Sequence, residues 1–126
     1  SYIVPDYNEA HGINSRTQLA HAASLMQRRI NEAVMETGVT MIDPATVWIS
    51  PTASIEPEVE IWPHTHILGS SVIASGVKIM PGTWIKDSHI NGGSTIGHHS
   101  IIEGAHLPYG TDLPPYTHAD ESSKAC

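Results

Sequence analysis

Histidine offers more chemistry than any other side chain in this sequence, as general base, proton carrier or metal ligand near neutral pH. There are nine histidines in 126 residues, so their spacing decides what they can do. The distal half of the chain repeats by sixes, and three sixes make a structural unit of 18 residues. Counting in these units, with one residue taken out at the stretch NGGST (Asn91 to Thr95), places His89 and His106 in one column on adjacent repeats. The same count puts both at an inward position otherwise given to small side chains. His64 and His99 share a second column, two repeats apart. A metal ion needs ligands converging at about 2 Å, and none of these spacings is a metal signature. The expected role is therefore at corners and interfaces, with the His89–His106 pair a source of pH sensitivity in the distal repeats. The one cysteine, Cys126, rules out an internal disulfide, a pattern compatible with a reducing cytoplasm.

These side chains need elements to hold them. Residues 1–14 show no period, and Pro5, Asp6, Asn8 and Gly12 mark loop or short extended chain. A helix is predicted from Ser15 to Thr37. There Leu19, Ala22, Ala23, Met26, Ile30, Ala33, Val34 and Thr37 recur at steps of three and four, on one face. Asn14 is placed to cap its N-terminus, and Gly38 stands where a left-handed residue ends a helix. At about 1.5 Å per residue this helix would be roughly 35 Å long.

From Ile49 the period changes to six: ISPTAS, IEPEVE, IWPHTH, ILGSSV, IASGVK, IMPGTW, IKDSHI. Each unit begins with Ile. The fifth positions are Ala53, Val59, Thr65, Ser71, Val77, Thr83 and His89, small or β-branched in six of seven. A short unit, NGGST, follows, then IGHHSI and IEGAHL. The last units, PYGTDL and PPYTHAD, lose the leading Ile. A period of six fits neither a helix of about 3.6 residues per turn nor an irregular meander. It fits a triangular coil of three short strands, with Ile inward once per side and a small residue inward two positions earlier. Pro51, Pro57, Pro63, Gly69, Gly76 and Pro81 ease the corners. Ile49, Ile67 and Ile85 should stack in one column, with coils about 4.8 Å apart. The fold class is mainly β, a parallel β-helix of about four coils that degenerates toward the C-terminus, preceded by one long α-helix. Trp48, Trp62, Val72 and Trp84 point outward. Trp48 and Trp84 lie on one edge with His66 between them, an apolar surface that favours association.

Composition agrees. There is no Phe, and the apolar residues are mostly aliphatic, which suits a narrow interior. A net charge of −7 with only six Lys and Arg argues against nucleic acid or an anionic membrane as partner. No apolar run approaches the roughly 20 residues that span a bilayer.

Two segments narrow the reading. NEAHGINSRTQLA (Asn8 to Ala20), followed by QRRINEAVMETGVTMIDPATVWI (Gln27 to Ile49), resembles a junction in the bacterial bifunctional N-acetylglucosamine-1-phosphate uridyltransferase / glucosamine-1-phosphate acetyltransferase family. There a nucleotidyltransferase domain ends in an asparagine-containing loop, then a connecting helix, then a GVT-x-x-DP lead-in to the β-helix. IWPHTHILGSSVI (Ile61 to Ile73) resembles the family's first coils. The likeness runs over about two thirds of the chain, from residue 8 to about residue 90.

The resemblance implies that residues 1–41 are the end of the nucleotidyltransferase domain plus the linker helix, and that residues 42–126 are β-helix, wound left-handed. Asn14 matches the family's asparagine that contacts Mg²⁺ and the nucleotide sugar, so it is the candidate residue for substrate and metal. The implied partners are a sugar phosphate, a nucleotide sugar and two further copies of the chain, in a cytoplasmic homotrimer. Acetyl-CoA is the implied co-substrate. The implied reactions make UDP-N-acetylglucosamine, a peptidoglycan precursor: uridylyl transfer to N-acetylglucosamine-1-phosphate, and acetyl transfer to glucosamine-1-phosphate.

The sequence departs from the family in two places. No Gly-rich phosphate loop occurs in these residues, so the chain alone should be inactive as a uridyltransferase. AHLPYGTDL (Ala105 to Leu113) resembles the family's AHLRPGTEL, but Pro108 stands where the arginine is expected. PYTHAD (Pro115 to Asp120) lacks the family's H-L-T-Y order. No acetyltransferase catalytic residue is therefore assigned. Two other classes remain open, a non-catalytic trimeric scaffold and a distinct hexapeptide-repeat acyltransferase. Sequence upstream of Ser1 would separate the first from the full enzyme, and acetyl-CoA binding would favour the second.

Overall fold

A computed structural model describes residues 11–121, with side chains from residue 15 onward. Helix α1 spans His11–Glu36 and precedes a parallel β-solenoid. It begins four residues before the expected Ser15, so Asn14 lies inside the helix and does not cap it. Gly12 falls within that first turn; one Gly costs a helix only about 1 kcal/mol relative to Ala, too little to stop it. The other end matches expectation. Gly38 has φ +108°, its N–H reaches the Met35 carbonyl at 3.0 Å, and the chain then turns into the first strand.

The solenoid consists of three parallel sheets, one for each side of the triangle. Sheet A stacks Thr40–Met41, Glu60–Ile61, Lys78–Ile79, Thr95–Ile96 and Asp112–Leu113. Sheet B stacks Trp48–Ile49, His66–Leu68, Trp84–Lys86, Ile101–Glu103 and His118–Ala119. Sheet C stacks Ser54–Ile55, Val72–Ile73, His89–Ile90 and His106–Leu107. Two sheets of five strands and one of four make nearly five coils, where about four were expected. The excess comes from both ends: Thr40–Met41 already pairs with the next coil, and the C-terminal units pair in full.

The isoleucine column stands as read. Ile67 pairs with Ile49 on one side and Ile85 on the other, and all three are buried. The small inward position is explained by its hydroxyls. Thr65, Ser71, Thr83, Ser94, Ser100 and Thr111 each donate to the carbonyl three residues back, at 2.6–2.8 Å. A hydroxyl at this place satisfies itself on its own corner, so it can be buried at little cost.

The frame of the distal half needs correction. Ser88, not His89, takes the inward position and is 3% exposed. Ile90 heads its own six-residue unit, INGGST, so the shortened unit is IKDSH (Ile85 to His89) and not NGGST. A second shortened unit, IEGAH (Ile102 to His106), follows one coil later. With both in place the leading aliphatic never disappears: Leu107, Leu113 and Ala119 continue the core columns, and all are buried. The last coils therefore run 17 residues, as in Ile85 to Ile102, against 18 from Ile67 to Ile85.

Helix α1 packs on the N-terminal end of this stack. Ile30, Val34 and Met35 lie against the core. Leu19 and Met26, on the expected apolar stripe, stay exposed. One coil presents too little surface to cover a helix of roughly 39 Å.

Candidate functional site

The structure groups the side chains of chemical interest in four places. Asn14, the candidate for metal and nucleotide sugar, sits in the first turns of α1 by its backbone, and its side chain lies outside the described residues. Among the described residues no group of three or more His, Cys, Asp and Glu is placed to share a metal ion. A single amide oxygen does not satisfy Mg²⁺, which takes near-octahedral oxygen coordination. These residues do not by themselves make a magnesium centre.

The second place is the junction of α1 with the first coil. Gln27 grips the backbone of Ile49 from both sides: its Nε2 donates to the Ile49 carbonyl at 3.0 Å, and the Ile49 N–H donates to its Oε1 at 2.8 Å. The side-chain amide thus copies a neighbouring strand and closes the open edge of sheet B, which would otherwise present unpaired groups. One turn further on, the Asn31 amide donates to the carbonyls of Pro44 and Val47, both at 2.9 Å. Asn31 is 2% exposed, and its Oδ1 has no partner. Beside these contacts is a cleft of about 270 Å³ whose walls include Arg28, Met35, Pro44 and Trp48. Sequence reasoning passed over Gln27 and Asn31. The available signal was two amides four residues apart, next to the apolar stripe of a helix whose last turns face a strand edge.

The third place is the outer face of sheet B. Trp48, His66, Trp84, Ile101 and His118 follow one another in register down the stack. This is the column expected for Trp48, His66 and Trp84. Trp48 and Ile101 are exposed. Sheet A differs, carrying Thr40, Glu60, Lys78, Thr95 and Asp112 outward. Trp62 is half-buried near it and donates from its ring nitrogen to the Glu60 carboxylate at 2.6 Å. Neither Trp62 nor Trp84 is among the residues lining the cleft beside α1; Trp48 is.

The fourth place is the distal coils, where the histidines gather. His89 and His106 do share a column, with rings stacked 4.7 Å apart and 10° from parallel. They face outward from sheet C, however, because the inward positions belong to Ser88 and Ala105. Asn91 Nδ2 lies 3.3 Å from His106 Nε2. His64 and His99 share the corner between sheets A and B, both at positive φ (62° and 58°), with Gly82 between them and Tyr116 beyond. His98 and His99 bring their Nδ1 atoms to 3.1 Å. In the stretch AHLPYGTDL, Leu107, Thr111 and Leu113 are buried and Pro108 to Gly110 turn an exposed corner. The segment is spent on coil geometry, and it carries no Lys or Arg.

No protein-family model matches the chain. Curated relatives do. The bifunctional protein GlmU of a Nostoc species is 44% identical over 115 residues, which is 91% of this chain and 25% of that protein. The bifunctional protein GlmU of Halalkalibacterium halodurans is 37% identical over 123 residues, 98% of this chain and 27% of that protein. That of Streptomyces coelicolor is 32% identical over 116 residues, 92% of this chain and 24% of that protein. The chain is thus similar to bifunctional GlmU along nearly all its length, and it spans about a quarter of the relatives it matches.

Proposed function

We propose that this chain, similar to GlmU from its helix to its last coils, is the linker helix and β-helix of a bifunctional enzyme of UDP-N-acetylglucosamine synthesis. The complete enzyme would transfer uridylyl to N-acetylglucosamine-1-phosphate, and would transfer acetyl from acetyl-CoA to glucosamine-1-phosphate. The observation that carries this reading is colinearity: a long helix, a GVT-x-x-DP lead-in and a parallel solenoid follow in one order, with 32–44% identity to GlmU over that stretch.

Within that enzyme the segment's work is mechanical. The helix holds the domain before it against the first coil through Gln27 and Asn31, and the solenoid assembles three copies. The support for assembly is the apolar column of sheet B, since exposed Trp48 and Ile101 flank His66 and Trp84 on a flat face. A three-sided prism packs naturally about a three-fold axis with closed symmetry. Asn14 would contribute its amide oxygen to Mg²⁺ and the nucleotide sugar once joined to the preceding domain. Light scattering on the purified chain tests the assembly. The expected mass is about three times the 13.6 kDa monomer. A monomer at micromolar concentration, with tryptophan emission already blue-shifted, refutes it.

A different class, a hexapeptide-repeat acyltransferase with its site between subunits, gains no observation of its own here. Acetyl-CoA binding by the chain, measured by calorimetry, would favour it over a non-catalytic scaffold.

A further inference from the structure

We infer that the corner carrying His98 and His99 is a bidentate site for a late first-row divalent ion, copper(II) in the first instance, with water completing the coordination. The two Nδ1 atoms stand 3.1 Å apart. With metal–nitrogen bonds of about 2.0–2.1 Å, that separation gives an N–metal–N angle of roughly 100°. Such an angle serves adjacent positions of a tetragonal or tetrahedral ion. Without metal, one ring must carry its hydrogen on Nδ1 and the other must accept it. A metal ion takes both lone pairs, and the donor ring moves its hydrogen to Nε2. Neutral imidazoles therefore coordinate without net loss of a proton.

Both rings contact neighbouring groups at this corner. His99 lies between Gly82 and Tyr116. A Cβ built on Gly82 would stand 2.7 Å from His99 Cδ2, so a side chain there would push the ring from this position. On its other side Tyr116 stacks on it, with centroids 5.4 Å apart and planes 12° from parallel. His98 meets both rings edge-on, at 5.3 and 5.1 Å. These contacts restrict the rings in part, and whatever freedom they lose in advance is not lost again on binding. His98 is half-buried and His99 exposed, so the ion and its waters can reach the nitrogens. Imidazole nitrogen suits copper, nickel and zinc, whereas Mg²⁺ prefers oxygen. The site is therefore chemically distinct from the magnesium contact proposed for Asn14. No third His, Cys, Asp or Glu joins it among the described residues, so its affinity falls below that of a three-ligand centre.

The experiment titrates the untagged full chain with copper(II) sulfate near neutral pH, followed by electron paramagnetic resonance and equilibrium dialysis. One equivalent per chain with two nitrogen donors is expected. His98→Ala should lower affinity by about tenfold or more, because the second ligand no longer acts intramolecularly, and should remove one nitrogen from the spectrum. His99→Asn keeps a residue that tolerates positive φ, so it preserves the fold by circular dichroism and should give the same loss. His106→Ala, in a different stack, should bind as the parent does. Two unchanged nitrogens in the His98→Ala/His99→Asn double variant overturn the assignment. So does loss of binding in His106→Ala, or no retained copper at equimolar concentration.

Discussion

Replacing Gln27 by Ala removes two hydrogen bonds at once, the 3.0 Å donation to the Ile49 carbonyl and the 2.8 Å acceptance from the Ile49 N–H. Ile49 is 1% exposed, so both backbone groups are left in a place that water reaches poorly. An unmet buried group costs about 1–3 kcal/mol. Gln27 itself is only half-buried, and water entering the vacated space recovers part of the loss. The expected destabilisation for Gln27→Ala is therefore about 2–3 kcal/mol, in the lower half of the sum for two groups. Gln27→Glu keeps the acceptor for the N–H but turns an oxygen toward the Ile49 carbonyl. The substituted carboxylate is disfavoured in the folded state, so its pKa there rises above the unfolded value. Its penalty is full above that raised pKa, shrinks as pH falls through it, and is gone below the unfolded value of about 4.3, where the carboxyl is protonated in both states and can donate. The assay is urea unfolding read at the tryptophans, with hydrogen exchange at the Ile49 amide as the local probe. A midpoint shift at constant slope is expected, with faster exchange at Ile49. Gln27→Ala within about 0.5 kcal/mol of the parent, the range of ordinary surface substitutions, together with unchanged exchange at Ile49, would refute the edge-capping argument.

Three further outcomes follow from the same geometry. Ile67→Ala opens a cavity between Ile49 and Ile85 and should cost about 2–5 kcal/mol, while Pro57→Ala at an exposed corner should cost far less; equal losses in a denaturant titration would mean the column is wrong. Gly97→Ala would set a Cβ 2.4 Å from the Pro115 nitrogen and 2.5 Å from the Pro114 carbonyl carbon. These are backbone atoms of the next coil, so the substitution should cost at least about 3 kcal/mol and shift the thermal midpoint more than Gly104→Ala, which meets nothing within 4 Å and pays only the strain of its φ of +61°. Finally, the chain by itself should release no pyrophosphate from UTP and N-acetylglucosamine-1-phosphate in a coupled assay, because its residues include no Gly-rich phosphate loop.

Seven isoleucines at a spacing of six, each following a small residue by two positions, left one architecture open, since only a three-sided coil turns both positions inward on every side. The helix, its glycine stop and the tryptophan–histidine column were legible for the same reason: each rests on local spacing and local backbone preference. The distal frame was not. A one-residue shortening can be absorbed at any corner; the small-residue rule favoured Ser88 over His89 for the inward place, but a strict count of six overrode it. Packing chooses Ser88, whose hydroxyl meets the Lys86 carbonyl at 2.9 Å, where an imidazole would have to fill a space built for a methyl-sized group. The start of α1 was misplaced because Asn14 is a good cap in principle, yet a capping residue stops nothing when the residues before it can also be helical. The site residues depended most on the tertiary structure. Gln27 and Asn31 lie off the apolar stripe of the helix, and their role shows only when the first coil is laid against them. His98, His99 and Tyr116 are adjacent or 17 residues apart in the chain, and only the rise of one coil onto the next brings their rings together.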